Sequence, residues 1–199
     1  MNATVRDARQ RRTHQALVAA ILDLATEHPL RDVSVSQLAR TAGVHRSTVY
    51  QHADSPQALL SDAFMEELDA LRDEYVVGQT GQGLAEAQRL IVMAVLEHLE
   101  SHATIYRREL VDPSNHLHAM LRDHFHDSVR YMLDTYDLGP TSLNGVPERM
   151  FRDLTSRWFA DASVGAMTAW LMAPAPRDPE LYWKTTRLLT PDWWPSAER

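Results

Sequence analysis

Apolar residues recur along this chain at helical spacing in every long segment, and no segment shows a strand's alternation. Leu17, Ala20, Ile21, Leu24 and Ala25 fall at i, i+3, i+4, i+7 and i+8, the buried stripe of a helix of roughly 17 residues. Pro29 disfavours helical backbone at the residue before it, so this helix ends near His28. A shorter helix follows, with Ser34 as its N-cap and Leu38, Ala39 and Ala42 facing inward. Gly43 supplies a tight turn open to left-handed backbone, and a third helix is expected over 45–52. Ser55-Pro56 starts a fourth, since serine caps and proline at the first helical position loses no hydrogen bond. Its buried side carries Leu59, Leu60, Ala63, Phe64, Leu68, Leu71 and Tyr75, and it stops at the loop GQTGQG, 78–83. Further helices are expected over 84–101, 103–111, 115–137, 147–173 and 178–189, separated by Asp112-Pro113, by 138–147 and by 174–179. The expectation is an all-α chain of about nine helices, divided into a small three-helix unit (1–55) and a larger helical body (56–199).

Composition narrows the functional classes. No run approaches about 18 apolar residues, so no membrane span is expected. The N-terminal MNATVRDARQRRTH lacks the apolar core of a secretory signal. The absence of cysteine excludes disulfides, iron–sulfur clusters and thiolate zinc sites, and fits a cytoplasmic location. The net charge of −7 argues against a polyanionic partner until its distribution is considered. Residues 1–60 hold seven Arg against five acids, a net of +2, which leaves −9 for the rest. A basic end on an acidic body is what a nucleic-acid-facing domain produces.

The residues of that basic end fit a helix-turn-helix, or else a plain helical hairpin with a polar outer face. Ala39 is small where two helices cross, Gly43 lies four residues on at the turn, and Leu38, Ala42, Val44 and Val49 are apolar where the helices pack. Arg46, Ser47, Thr48, Tyr50, Gln51 and His52 are left pointing outward. Arginine can pair bidentately with a guanine edge and glutamine with an adenine edge. Threonine, tyrosine and histidine can hold phosphates and fix the register.

The stretch VSVSQLARTAGVHRSTVYQHADSPQALL, preceded by RTHQALVAAILDLATEHP, resembles the DNA-binding signature of the TetR family of bacterial transcriptional regulators. The resemblance spans about 50 residues; beyond it, the remaining helices match the family only in length and pattern. It implies that Arg46, Ser47 and Gln51 lie nearest the bases, that Thr48, Tyr50 and His52 clamp the backbone, and that Ser34 touches a phosphate. It also implies an arm bearing Arg9, Arg11 and Arg12. Ala53 and Pro56 stand where the family usually has an aromatic residue and a lysine, and His45 replaces a small N-cap. These departures bear on packing behind the recognition helix and on phosphate contacts, and leave the reading face intact.

In the body, Trp158, Ala162, Gly165, Ala166, Ala169, Trp170 and Ala173 bring small residues and aromatic anchors onto one helix. With Trp183 and Leu188 of the last helix they resemble the family's dimerisation surface, in which four helices meet across a two-fold axis. A homodimer reading a near-palindromic double-stranded operator is the expected unit. The resemblance further implies a pocket for a small-molecule effector, with Met93, Leu96, His102, Tyr106, Met120, His124, Tyr131 and Trp158 as inward candidates.

Six histidines fall within 98–126. His98 and His102 share a helix face at i, i+4, but without a third ligand no metal or other cofactor is expected. The reading is therefore a ligand-responsive repressor, not an enzyme. The alternatives are a metal-dependent enzyme built on the His98–His126 segment and a helical interaction protein with a vestigial helix-turn-helix. No nucleophile motif or Gly-rich phosphate loop supports the enzyme.

Overall fold

The computed structural model describes residues 2–195, with side chains for all of these except 2–7, 81 and 82. Among the described residues the chain is all-α: α1 (Asn2–Glu27), a 3-10 turn (Leu30–Asp32), α2 (Val35–Thr41), α3 (Arg46–Val49), α4 (Pro56–Tyr75), α5 (Gly81–Ser101), α6 (Ala103–Glu109), α7 (His116–Thr135), α8 (Glu148–Met172) and α9 (Pro179–Leu189). None of these helices is long and apolar enough to cross a membrane.

Caps and glycines set the boundaries as the local chemistry requires. Ser34 and Gln37 form a reciprocal capping box on α2, the Gln37 amide donating to Ser34 Oγ and the Ser34 amide to Gln37 Oε1. Ser55 Oγ accepts from the Ala58 amide with Pro56 at the first position of α4. Asn115 and Asp178 cap α7 and α9 in the same manner.

Three elements differ from the sequence expectation. The first helix starts at Asn2, so Arg9, Arg11 and Arg12 ride on α1 and form no detached arm. The third helix is one turn, Arg46–Val49, continued by non-helical turns through His52, and His45 makes no side-chain cap. A helix that short with no cap leaves its last carbonyls to 3-10-type bonds, and the Gln51 and His52 amides donate to Thr48 and Val49 carbonyls accordingly. The loop after α4 is shorter than 78–83, because α5 begins at Gly81.

The main core is continuous through both ends of the chain. It includes Leu17 and Ile21 of α1, Leu38 of α2, Val49 of α3, Leu60, Phe64 and Leu68 of α4, Leu96 and Leu99 of α5, Tyr106 of α6, Leu121 of α7 and Leu171 of α8. A second cluster joins Val76, Leu84, Val129, Met132, Leu133 and Phe159 to Trp194 beyond α9. The helix-turn-helix is fastened to the body by polar contacts as well. Glu109 at the end of α6 is buried and accepts hydrogen bonds from the Leu30 amide at 3.0 Å and Asn115 Nδ2 at 2.7 Å. Gln57 Nε2 of α4 donates to the Leu30 carbonyl at 2.8 Å. The 3-10 turn behind α2 is thus held by both α4 and α6.

Candidate nucleic-acid interface

The α2–α3 unit is built from its buried side outward. Leu38, Ala39 and Val49 are buried, with Ala42, Val44 and Ala53 packed against them. Gly43 has φ +66°, and a Cβ added there would meet nothing within 4 Å. Backbone conformation, not space, therefore calls for glycine at this turn. The Val44 amide closes the turn onto the Ala39 carbonyl at 2.9 Å.

The outer side is polar and open. Arg46, Ser47, Tyr50 and Gln51 are exposed, Tyr50 by 56%, while Thr48 is half-buried beside them. His52 is set apart from these: it is half-buried, and its ring lies 5.7 Å from that of His14 on α1. Burial and the neighbouring imidazole of His14 both lower its pKa. Its geometry suits packing of α3 onto α1 more than a phosphate clamp. Ser34 is exposed, but its hydroxyl is engaged in the capping box, donating to Gln37 Oε1 at 2.7 Å. Neither Tyr50, which points outward, nor Phe64, which stacks on Tyr106 with centroids 4.9 Å apart, takes the place of an aromatic ring at Ala53, which itself packs against the main core. Pro56 is buried at the start of α4.

In the body a cavity of about 190 Å³ lies among α4, α5, α7, α8 and α9. Val92, Val95, Val129, Met132, Phe159 and Met167 give it an apolar wall, and Arg72, Gln88, His124 and Ser128 give it polar atoms. Of the eight pocket candidates, His124 and Trp158 line it. Leu96, Tyr106 and Met120 belong to the main core, and Tyr131 packs edge-on against Tyr136. Met93 is half-buried on α5 away from the lining, and His102 sits beside His98 near Phe64. Residues of α9 and the chain beyond it also line the cavity, Tyr182, Trp183, Thr186 and Trp194 among them, and carried no sequence signal of that role.

The proposed dimer residues divide by orientation. Trp158, Ala162, Gly165, Ala169 and Leu188 are exposed, and Ala166, Trp170 and Ala173 are half-buried. Met150, Leu154 and Met172 extend the exposed stripe along α8, and Leu181 and Leu189 do so on α9. Trp183 differs from the others: it is buried and lines the cavity. Trp158, Ala162 and Leu189 are both on this outer face and in the cavity lining, so the cavity opens towards the stripe.

The histidine segment contains an arrangement the sequence did not expose. His98 Nδ1 lies 3.0 Å from Glu67 Oε2 on α4, and His102 Nε2 lies 3.8 Å from the same oxygen. Burial, with the nearby imidazoles of His102 and His124, lowers the pKa of His98 to about 4, which keeps it neutral. Among the remaining histidines, His124 Nδ1 is 3.5 Å from Asp69, His126 pairs with adjacent Asp127, and His116 is exposed.

Comparison with known proteins follows the same division of the chain. Residues 17–63 match the family described as bacterial regulatory proteins, tetR family. No curated protein matches the sequence. Among solved structures, a TetR transcriptional regulator from Streptococcus agalactiae aligns with TM-score 0.63 at 20% identity, over 94% of this chain and 98% of that one. FadR of Thermus thermophilus, a repressor solved with lauroyl-CoA, aligns with TM-score 0.59 at 18% identity, over 94% and 100%. NalD of Pseudomonas aeruginosa, the secondary repressor of the MexAB-OprM multidrug efflux pump, aligns with TM-score 0.59 at 18% identity, over 93% and 100%. At these identities the likeness is one of fold, and it extends the match from the helix-turn-helix to the whole body.

Proposed function

We propose that the chain, whose residues 17–63 match the tetR family of bacterial regulatory proteins, is a regulator of that kind: a repressor that binds a near-palindromic operator as a homodimer and is released by a small-molecule effector. The observation that carries this reading is the α3 face. Arg46, Ser47, Tyr50 and Gln51 project from a turn whose inner side is fully packed. In our reading Arg46, Ser47 and Gln51 meet base edges, Thr48 and Tyr50 hold phosphates, and Ser34 meets a phosphate only by giving up its bond to Gln37. His52 has the weakest claim of the set. Residues 1–55 then form the reading head and 56–199 the sensing and dimerising body.

Two features support the dimer. The exposed stripe on α8 and α9 is apolar or small for six turns of helix, far more than scattered surface residues require. A partner helix seated on it would also cover the cavity mouth at Trp158 and Ala162. The cavity supports the effector: an apolar chamber with a few convergent polar groups suits a largely hydrophobic molecule bearing one polar end.

The signal has a physical route. α4 carries cavity residues Leu68 and Arg72 at one end, with Val76 just beyond it, and abuts the helix-turn-helix at the other. From Pro56 to Arg72 it runs about 24 Å at 1.5 Å per residue, so a tilt of about 5° at the cavity displaces the reading head by about 2 Å. In a two-fold dimer both heads move, changing their separation against the fixed spacing of the two half-sites. The effector needs only to prefer the tilted state, and a coupling of about 1–3 kcal/mol is typical.

The reading is tested by selecting bound duplexes from a random pool and measuring variants on the selected site. Arg46→Ala should relax base preference, and Tyr50→Phe should weaken binding on all sequences alike. If both variants bind as the parent does, the assigned face is wrong. The metal-dependent enzyme is disfavoured by the family match, which covers the helix-turn-helix that such an enzyme would not use.

A further inference from the structure

The carboxylate of Glu67 stands over the two histidines that share one face of α5 and its C-terminal cap. Glu67 comes from α4, and the contact exists only because α4 and α5 pack side by side. Glu67 Oε2 is 3.0 Å from His98 Nδ1 and 3.8 Å from His102 Nε2, and all three ligand atoms lie within 4.8 Å of one another. Ligands bound to a tetrahedral cation at ~2.0–2.1 Å are ~3.3 Å apart. The two measured separations bracket that value, and the third lies within 4.8 Å.

We propose that Glu67, His98 and His102 form a binding site for a divalent transition cation of zinc-like character. The surroundings are those of a built ligand set. His98 Nε2 lies 2.8 Å from the hydroxyl oxygen of Tyr106, which is completely buried. Without a cation the neutral ring donates Nδ1–H to Glu67 and Nε2 accepts from the Tyr106 hydroxyl; with a cation on Nδ1 the remaining N–H is at Nε2, and Tyr106 Oη is within reach to accept it. Phe64 fixes both rings, its centroid 5.2 Å from His98 and 4.8 Å from His102. Glu67 and His102 are partly open to solvent, which leaves an entry path and a fourth position for water.

The donor chemistry selects the cation. Two neutral imidazoles and one carboxylate suit Zn(II), Co(II) or Ni(II). Calcium and magnesium require oxygen donors, and copper(I) prefers sulfur ligands, of which cysteine is absent from the chain. Because the site joins α4 to α5, an occupying cation fastens the helix that carries the reading head. That consequence for DNA rests on the regulator reading; the site itself does not.

The test uses the full, tag-free chain stripped with a chelator and titrated with Co(II), then with Zn(II) in competition with a chromophoric chelator. The expected result is one equivalent bound with an intense visible d–d band of tetrahedral cobalt. Glu67→Gln and His102→Ala should each weaken Zn(II) binding by about 100-fold or more, and Tyr106→Phe by about 10-fold with stoichiometry unchanged. Glu67→Gln preserves shape at a half-exposed position, so an unchanged melting temperature without metal shows that the loss is one of ligation. Binding of less than one equivalent, or affinity unaltered in both Glu67→Gln and His102→Ala, overturns the proposal. Since no DNA enters the measurement, its failure is distinct from failure of the regulator reading.

Discussion

Gly165 lies deep in α8 and is exposed, and a Cβ placed on it would meet nothing within 4 Å. Glycine in a helix interior costs about 1 kcal/mol relative to alanine. Nothing in the chain's own packing requires that cost, so the residue has a use only if another backbone approaches α8 at this point. In an isolated subunit Gly165→Ala and Gly165→Leu should therefore both stabilise, by about 1 kcal/mol. In a dimer paired through the stripe of Trp158, Ala162, Gly165 and Ala169, the leucine is an overpacking substitution costing about 1–3 kcal/mol. The two-fold axis repeats it, giving about 2–6 kcal/mol in association. Dimer dissociation should then rise at least about 30-fold. Sedimentation equilibrium gives the dissociation constant, and thermal melts of the dilute protein give subunit stability. If Gly165→Leu dimerises as tightly as the parent, the α8 stripe is not the interface and the argument from its small residues fails.

Three further outcomes follow from individual contacts. Glu109→Ala leaves the buried Leu30 amide without its acceptor and releases Asn115; it should lower urea stability by about 3 kcal/mol and weaken operator binding by loosening the 3-10 turn behind α2. Arg177 is buried, donates to both carboxylate oxygens of Glu100 at 2.7 and 2.8 Å and caps the Ala173 carbonyl. Arg177→Ala should cost about 2–3 kcal/mol by urea denaturation, since the carbonyls at the end of α8 lose their hydrogen-bond donor while Glu100 rehydrates. Arg72 reaches the cavity while paired with Asp69 at 2.9 Å, so Arg72→Met should change effector affinity by calorimetry and leave operator affinity without effector within about threefold.

What could be read from the sequence tracks the range of the interactions involved. The α2–turn–α3 unit rests on contacts within 20 residues: a capping box, a φ +66° glycine and three apolar positions. Each leaves a local sequence signal. Periodicity also assigned inward faces along α5, α6 and α7, but an inward residue has two possible fates in a six-helix body. Leu96, Tyr106 and Met120 went to the core and His124 to the cavity, a choice made by how neighbouring helices splay. Glu67 illustrates the limit. The i, i+4 pair His98/His102 was visible, but its carboxylate partner comes from 31 residues upstream, where α4 presents one exposed acid among several. Short α3 had a related cause: without a side-chain cap at His45, helical spacing overstated how far the helix continued.

The central claim is that the α3 face reads a specific duplex. It is tested most directly by equilibrium binding of the purified chain to duplexes selected from a random pool, compared with shuffled sequence over a range of salt. An enriched inverted repeat with half-sites about 34–36 Å apart is expected. Its affinity should exceed that of shuffled DNA by about 1,000-fold or more and fall linearly in logarithm with the logarithm of salt. Recovery of no common motif, with binding equal on selected and shuffled duplexes, would contradict it.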